Sequence, residues 1–349
     1  MTALVADLTS DQRDLQRMLA ALAHDRDVVL SDARPDEVAA LAVELADLGV
    51  WTLGAPESTG GGGADPATVA VALEQLGRSW PALAWASVQA HAAADVLGDD
   101  PSAELLGPVH RREVGVAVVD VASDAVDLWW DGGRLIGVVA RVDAAHVAPH
   151  LLVLSDTDAV LVAPEDLTTS PVRRTGLDGA LTRSVTVDAG PRDVRRVDGV
   201  DVAAARRRLL LGAAAIALGI GGAAADAARA YARERHQFGG PLTAIATVRA
   251  SLLEQVAGVA ALAPAARGRL DDLAAGIVAR AACEAAISTS AAALQSHGGY
   301  GYLAEYPAER HLRDAVSLRA AADVAASAPS HARALAGHPV EPTSIQEAS

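Results

Sequence analysis

The spacing of apolar positions changes twice along the chain. Up to about residue 108 it is helical. Val38, Leu41, Leu45 and Leu48 share one face of a predicted helix. Pro35 suits its first turn, Asp36 and Glu37 complement the positive end of its dipole, and Gly49 suits its stop. Four consecutive glycines, Gly60 to Gly63, then disfavour regular structure between Pro56 and Pro66. Asp65 followed by Pro66 has the form of an N-cap and a first helical residue, with Val69, Leu73 and Leu76 inward on the helix that follows.

From about 109 to 198 the apolar period shortens to two. Val114 to Val121 alternates and is rich in β-branched residues. Trp129 and Trp130, then Asp131-Gly132-Gly133, then Leu135 to Val142 predict strand, tight turn, strand. Leu151 to Leu154, Ala159 to Val162 and Ser184 to Val187 predict three more short strands. Beyond about 199 the chain is helical again, in long Ala-rich segments over 201–236, 242–263 and 266–296. A Gly-rich break at His297 to Gly301 precedes shorter helices. The predicted fold is α+β and mostly α. It has a helical N-terminal domain (1–108), a reduced middle β domain (109–198), a helical bundle (199–336) and a disordered tail (337–349), with no internal repeat.

Composition sharpens this picture. Aromatics make up only 3% of the 349 residues, so the cores must be Ala, Leu and Val packed at close helix–helix distances. All 29 basic residues are Arg, and the net charge of −15 argues against nucleic acid or an anionic membrane as a partner. The single cysteine, Cys283, forms no internal disulfide, and the N-terminus lacks a basic region followed by an apolar run. Both point to the cytoplasm. Leu209 to Ala225 carries no charge over 17 residues, but its Ala and Gly content predicts a helix buried in a bundle rather than a membrane span.

Most motif-like features dissolve under physical scrutiny. Gly219 to Gly222 resembles part of a dinucleotide fingerprint, yet no strand precedes it; close helix packing explains it better. Gly60 to Gly63 lacks the Lys-Ser/Thr of a phosphate loop. The ten histidines show no metal-ligand spacing. Trp129 and Trp130 suit a sheet core and its rim. Arg206 to Arg208 form a solvated helix start, or else meet CoA phosphates or a partner's carboxylates.

Two segments carry more. Tyr231 to Leu242 places Arg235, Gln237 and Phe238 at the end of a long helix. Arg pairs well with a diphosphate, and Phe can cover an aromatic ring. Ala293 to Ala315 places Gln295 just before the bare backbone of Gly298 and Gly299. Together they suggest an adenine-nucleotide contact, although a turn and a helix cap account for the same residues equally well.

Both segments closely resemble the acyl-CoA dehydrogenases. That family carries an Arg-x-x-Phe-Gly stretch after a long helix, here Arg235, Phe238 and Gly239. It also carries a Gln-x-x-Gly-Gly-x-Gly turn followed by an Arg-Asp pair, here Gln295, Gly298, Gly299, Gly301, Arg313 and Asp314. Leu45 to Ser79 and Arg134 to Ser155 resemble the family's N-terminal helices and middle sheet. The resemblance implies FAD as cofactor, an acyl-CoA substrate, and α,β-desaturation in which a carboxylate takes the α-proton and the flavin the β-hydride.

The departures are on one side of the site. The two positions where family members carry the base hold Leu209 and Ala322; Asp323 is one residue off, and Asp226 matches a structural position. Of the stretch that holds a subunit's own flavin only Ser123-Asp124 remains, and the family's Trp-Ile-Thr is missing. The elements that reach across to a neighbour's FAD are kept: Arg235, Gln237, Phe238, Gln295, Gly298 and Gly299. This pattern is similar to the companion subunits of two-plus-two actinobacterial acyl-CoA dehydrogenases, which resemble enzymes of steroid side-chain oxidation. The expectation is therefore a subunit without a catalytic residue of its own, completing FAD sites on a catalytic partner. The rival expectations are a self-sufficient enzyme with Asp323 as displaced base, and a non-enzymatic scaffold.

Overall fold

The computed structural model describes residues 8–98, 100–156, 158–303, 305–339 and 343–348. Its N-terminal part holds helices α1 (Ser10–Arg26), α2 (Pro35–Asp47), α3 (Pro66–Ser79), α4 (Pro81–Leu97) and α5 (Leu106–His110). Asp65 caps α3 as expected, its side chain accepting from the N–H groups of Ala67 and Thr68. Helix α4 is buried almost all round, so its polar residues need internal partners. They have them. The Ser87 hydroxyl donates to the Trp51 carbonyl (2.6 Å), and Gln89 donates to the Asp143 carbonyl (2.7 Å) and accepts from Val118 N–H (3.0 Å). His91 Nδ1–H donates to the Ser87 carbonyl, while Nε2 accepts from Gly54 N–H. Burial, with Arg208 nearby, pushes this imidazole down to about 3 and keeps it neutral.

The middle part is two facing sheets. One is ordered β1 (Val116–Asp120), β4 (His150–Leu154), β5 (Asp158–Val162), β8 (Val194–Asp198), with β1 and β4 parallel. The other contains β2 (Val126–Asp131), β3 (Arg134–Val142), β7 (Arg183–Ala189) and β6 (Leu167–Pro171), all antiparallel. The predicted strands are all present. Their inward residues, among them Leu135, Val139, Leu151, Val153, Val160 and Val187, form a core separate from the main one. Trp130 is buried in that core with Arg196 4.2 Å over its ring. Strands β6 and β8 have no counterpart in the sequence reading. They lie at the outer edge of each sheet, where Arg195 and Arg196 or a run of Thr and Ser can face solvent.

The C-terminal part has α6 (Val202–Glu234), a short hairpin of β9 (His236–Gln237) and β10 (Gly240–Pro241), then α7 (Ala246–Ala260), α8 (Ala263–Ala266), α9 (Asp272–His297), α10 (Ala308–Ala321) and α11 (Ala328–Leu335). Gly219 to Gly222 do lie in mid-helix. A Cβ on Gly219 would meet the Glu74 carbonyl and Gly77, and one on Gly221 would meet Val259 and Ala286. These glycines let α3, α7 and α9 approach α6 closely. Helices α6 and α9 are long and apolar enough to cross a membrane, but 78% of the apolar window of α6 is buried within the fold.

The tail read as disordered contains β11 (Gln346–Glu347), which pairs in parallel with Trp129 and Trp130 on β2. Its anchor is Asp156, which exchanges backbone and side-chain hydrogen bonds with Thr343, while Ile345 packs on the sheet core. An otherwise open β2 edge and an apolar foothold account for the order.

Candidate functional site

Helices α6 and α9 run side by side in the same direction: Gly221 lies against Ala286, and Tyr231 stacks on His297 with ring centroids 4.5 Å apart. Their C-terminal ends therefore meet, and Arg235, His297, Tyr300 and Tyr306 gather there. Arg235 is the C-cap of α6, its N–H donating to the Tyr231 carbonyl (2.8 Å). Two helix C-termini concentrate negative partial charge, which favours a cation at this position. The guanidinium lies 4.8 Å over the Tyr300 ring and, among the described residues, pairs with no carboxylate.

The arginines at the other end of the same helix are paired. Arg206 pairs with Asp120 and Asp156, Arg207 with Asp272, and Arg208 with Asp95. The Arg206 to Arg208 run, expected to be solvated or to meet CoA or a partner, is thus paired with carboxylates of its own chain. It ties the start of α6 to β1, to the β4–β5 turn, to α9 and to α4.

The other predicted contacts are equally open. Gln237 and Phe238 form the exposed tip of the β9–β10 hairpin. Phe238 is 91% exposed at φ +56°, a left-handed conformation uncommon for a side chain of this size. Gln295 is exposed near the end of α9. Gly298, at φ +56°, ends that helix, and a Cβ on Gly298 or Gly299 would meet nothing within 4 Å. A cleft of about 370 Å³ adjoins them, lined by Ala227, Ala230, Glu234, Tyr306 and Pro307. An unpaired guanidinium beside free amides and bare backbone is a donor set that suits a diphosphate. The sequence reading missed Tyr231, His297, Tyr300 and Tyr306, although their clustering in an aromatic-poor chain is itself a signal.

The opposite side is closed. Leu209 and Ala322 pack partly buried against the main core, and neither carries an ionisable group. Asp323 lies past the end of α10 at φ +46°, and its carboxylate accepts a hydrogen bond from the Ser123 hydroxyl in the β1–β2 turn. Nearby, buried Asp143 is held by Arg141, Arg174 and Thr182, while Arg174 also donates to the Ser317 carbonyl (2.9 Å) on α10. The Arg-Asp pair is structural as well. Asp314 accepts from Leu177 N–H (2.7 Å), and Arg313 pairs with Glu309 and Asp178. Asp226 bridges Arg78 and Arg229. No cluster of three metal-binding side chains occurs among the described residues.

N-terminal helices, two facing sheets and a long-helix bundle in this order are the acyl-CoA dehydrogenase fold. Residues 9–104 match the acyl-CoA dehydrogenase N-terminal domain, and residues 200–322 match the acyl-CoA dehydrogenase C-terminal domain. The chain belongs to the acyl-CoA dehydrogenase family. Benzylmalonyl-CoA dehydrogenase of Aromatoleum aromaticum is 27% identical over 88% of this chain and 93% of its own length. Among solved structures, the Tcur3481-Tcur3483 steroid acyl-CoA dehydrogenase aligns with a TM-score of 0.79 at 24% identity, over 94% of this chain and 99% of that one. An acyl-CoA dehydrogenase from Bacillus anthracis, complexed with FAD, aligns with a TM-score of 0.78 at 18% identity, over 95% of this chain and 68% of that one.

Proposed function

We propose that this chain is the companion subunit of a two-plus-two acyl-CoA dehydrogenase, contributing Arg235, Gln237, Phe238, Gln295, Gly298 and Gly299 to FAD held mainly by a catalytic partner. The observation that carries the reading is the contrast between the two halves of the site. The reach-across elements stand free at the end of α6 and α9, whereas Ser123 and Asp323 are bonded to each other. In the family those two elements flank a subunit's own flavin, and here the Ser123 hydroxyl is spent on the Asp323 carboxylate. When bound, FAD supplies the acceptor for the β-hydride, and the partner supplies the carboxylate that takes the α-proton. The substrate class is a bulky acyl-CoA of the steroid side-chain kind. The similarity to a solved steroid acyl-CoA dehydrogenase supports that class, as does the room that a surrendered half-site leaves for a large acyl group.

This reading gives Asp323 no catalytic role. Asp323→Asn keeps the hydrogen bond from Ser123, because the amide oxygen also accepts. Turnover of the assembled enzyme is expected to stay within about twofold of the unsubstituted complex. A fall of about a thousandfold in kcat would instead establish Asp323 as a displaced base and this chain as self-sufficient.

A further inference from the structure

The chain has one Phe, four Tyr and five Trp, and all five Trp precede residue 131. Every aromatic after that point, Tyr231, Phe238, Tyr300, Tyr302 and Tyr306, falls in two short segments at one end of the bundle. The bundle core is made of aliphatic side chains and does not need them. Three of these rings and the His297 imidazole form a connected ladder. Tyr231 stacks on His297, Tyr306 stands edge-on to both at 5.5 and 5.6 Å, and Tyr300 stands edge-on to Tyr306 at 6.2 Å. His297 Nδ1–H donates to the Ala293 carbonyl (2.7 Å), which fixes the ring in the middle of the ladder. The last rung carries the Arg235 guanidinium, 4.8 Å from its centroid.

We infer that Tyr300 is a positioning residue for Arg235, holding its guanidinium by the ring face so that the in-plane N–H groups stay free for a diphosphate. The inference rests on the reach-across reading above. A carboxylate partner would neutralise the cation and occupy two of its five donors. An aromatic face attracts the cation through its quadrupole and takes none of them. The ladder behind Tyr300 keeps that face in place, so less side-chain freedom is lost when the anion arrives. Tyr300 is itself 43% exposed, so shortening it does not open a core.

The test measures FAD dissociation from the complex with the catalytic subunit, followed by recovery of flavin fluorescence on dilution. Tyr300→Ala is expected to weaken FAD about tenfold, and Tyr300→Phe, which keeps the ring, to stay within about twofold. Adding Tyr300→Ala to Arg235→Ala should weaken binding no further than Arg235→Ala alone, because Tyr300 acts through Arg235. If Arg235→Ala weakens FAD but Tyr300→Ala does not, the positioning role is overturned and the reach-across reading survives. Equal loss in Tyr300→Phe and Tyr300→Ala would also overturn it, by assigning the effect to the hydroxyl. If Arg235→Ala itself changes nothing, the reach-across reading fails.

Discussion

Replacing Arg235 by Ala raises the dissociation constant of FAD from the assembled enzyme about 10- to 100-fold. A charge-assisted contact with a diphosphate is worth roughly 1.5 to 3 kcal/mol, and each 1.4 kcal/mol is a factor of ten. The chain's own stability should hardly change, since Arg235 makes no ion pair among the described residues and its place on the Tyr300 ring is at the surface. The expected variant folds and assembles normally but elutes from size exclusion with less flavin per mole of complex. Full FAD content would mean that this end of the bundle does not meet the cofactor.

The second large effect is on stability. Asp314 is buried on α10, and that burial, with Asp178 nearby, raises its carboxyl from an ordinary 3.8 to about 6, despite the hydrogen bond from Leu177 N–H and the nearby Arg310 and Arg313. The folded chain therefore holds this proton more tightly than the unfolded chain. The resulting stabilisation is fully present below about pH 4 and is lost as pH rises through about 6, roughly 3 kcal/mol in all. Asp314→Asn removes the cost of burying a charge and keeps an oxygen for Leu177 N–H. At pH 8 the Asn variant should be more stable than the unsubstituted chain by up to about 3 kcal/mol in urea melts, and at pH 4 the two should converge. A variant less stable at pH 8 would show that the ionised carboxylate is needed, as a partner for Arg310 or Arg313.

These two residues mark what sequence can and cannot convey. The helical face of Val38, Leu41 and Leu45, the cap at Asp65 and the strand–turn–strand of β2 and β3 are local patterns that appear in the fold, whereas Leu48 ends up exposed at the C-cap of α2 and β1 is buried on consecutive residues instead of alternating. The open end carrying Arg235 and Gly298 was legible because its residues sit in two compact segments. The closed side was not, because it depends on pairs far apart in the chain. Ser123 meets Asp323, Leu177 meets Asp314, and Arg206 meets Asp120 and Asp156. Nothing in the spacing of an Arg run says which carboxylates will satisfy it. The edge strands β6 and β8 were missed for a related reason: β6 buries no residue fully and β8 only Val197, so neither carries the apolar alternation of a half-buried strand. The strand at Gln346 depends on an unpaired β2 edge that no local signal announces.

The central claim is that this chain completes a flavin site without owning one. The most direct test is FAD content and native mass of the purified chain, alone and co-expressed with its catalytic partner. The account predicts a colourless chain alone, and a yellow two-plus-two tetramer with about two FAD per four chains. One FAD per chain in the isolated protein would contradict it: the contact between Ser123 and Asp323 would then have to open around a flavin of its own.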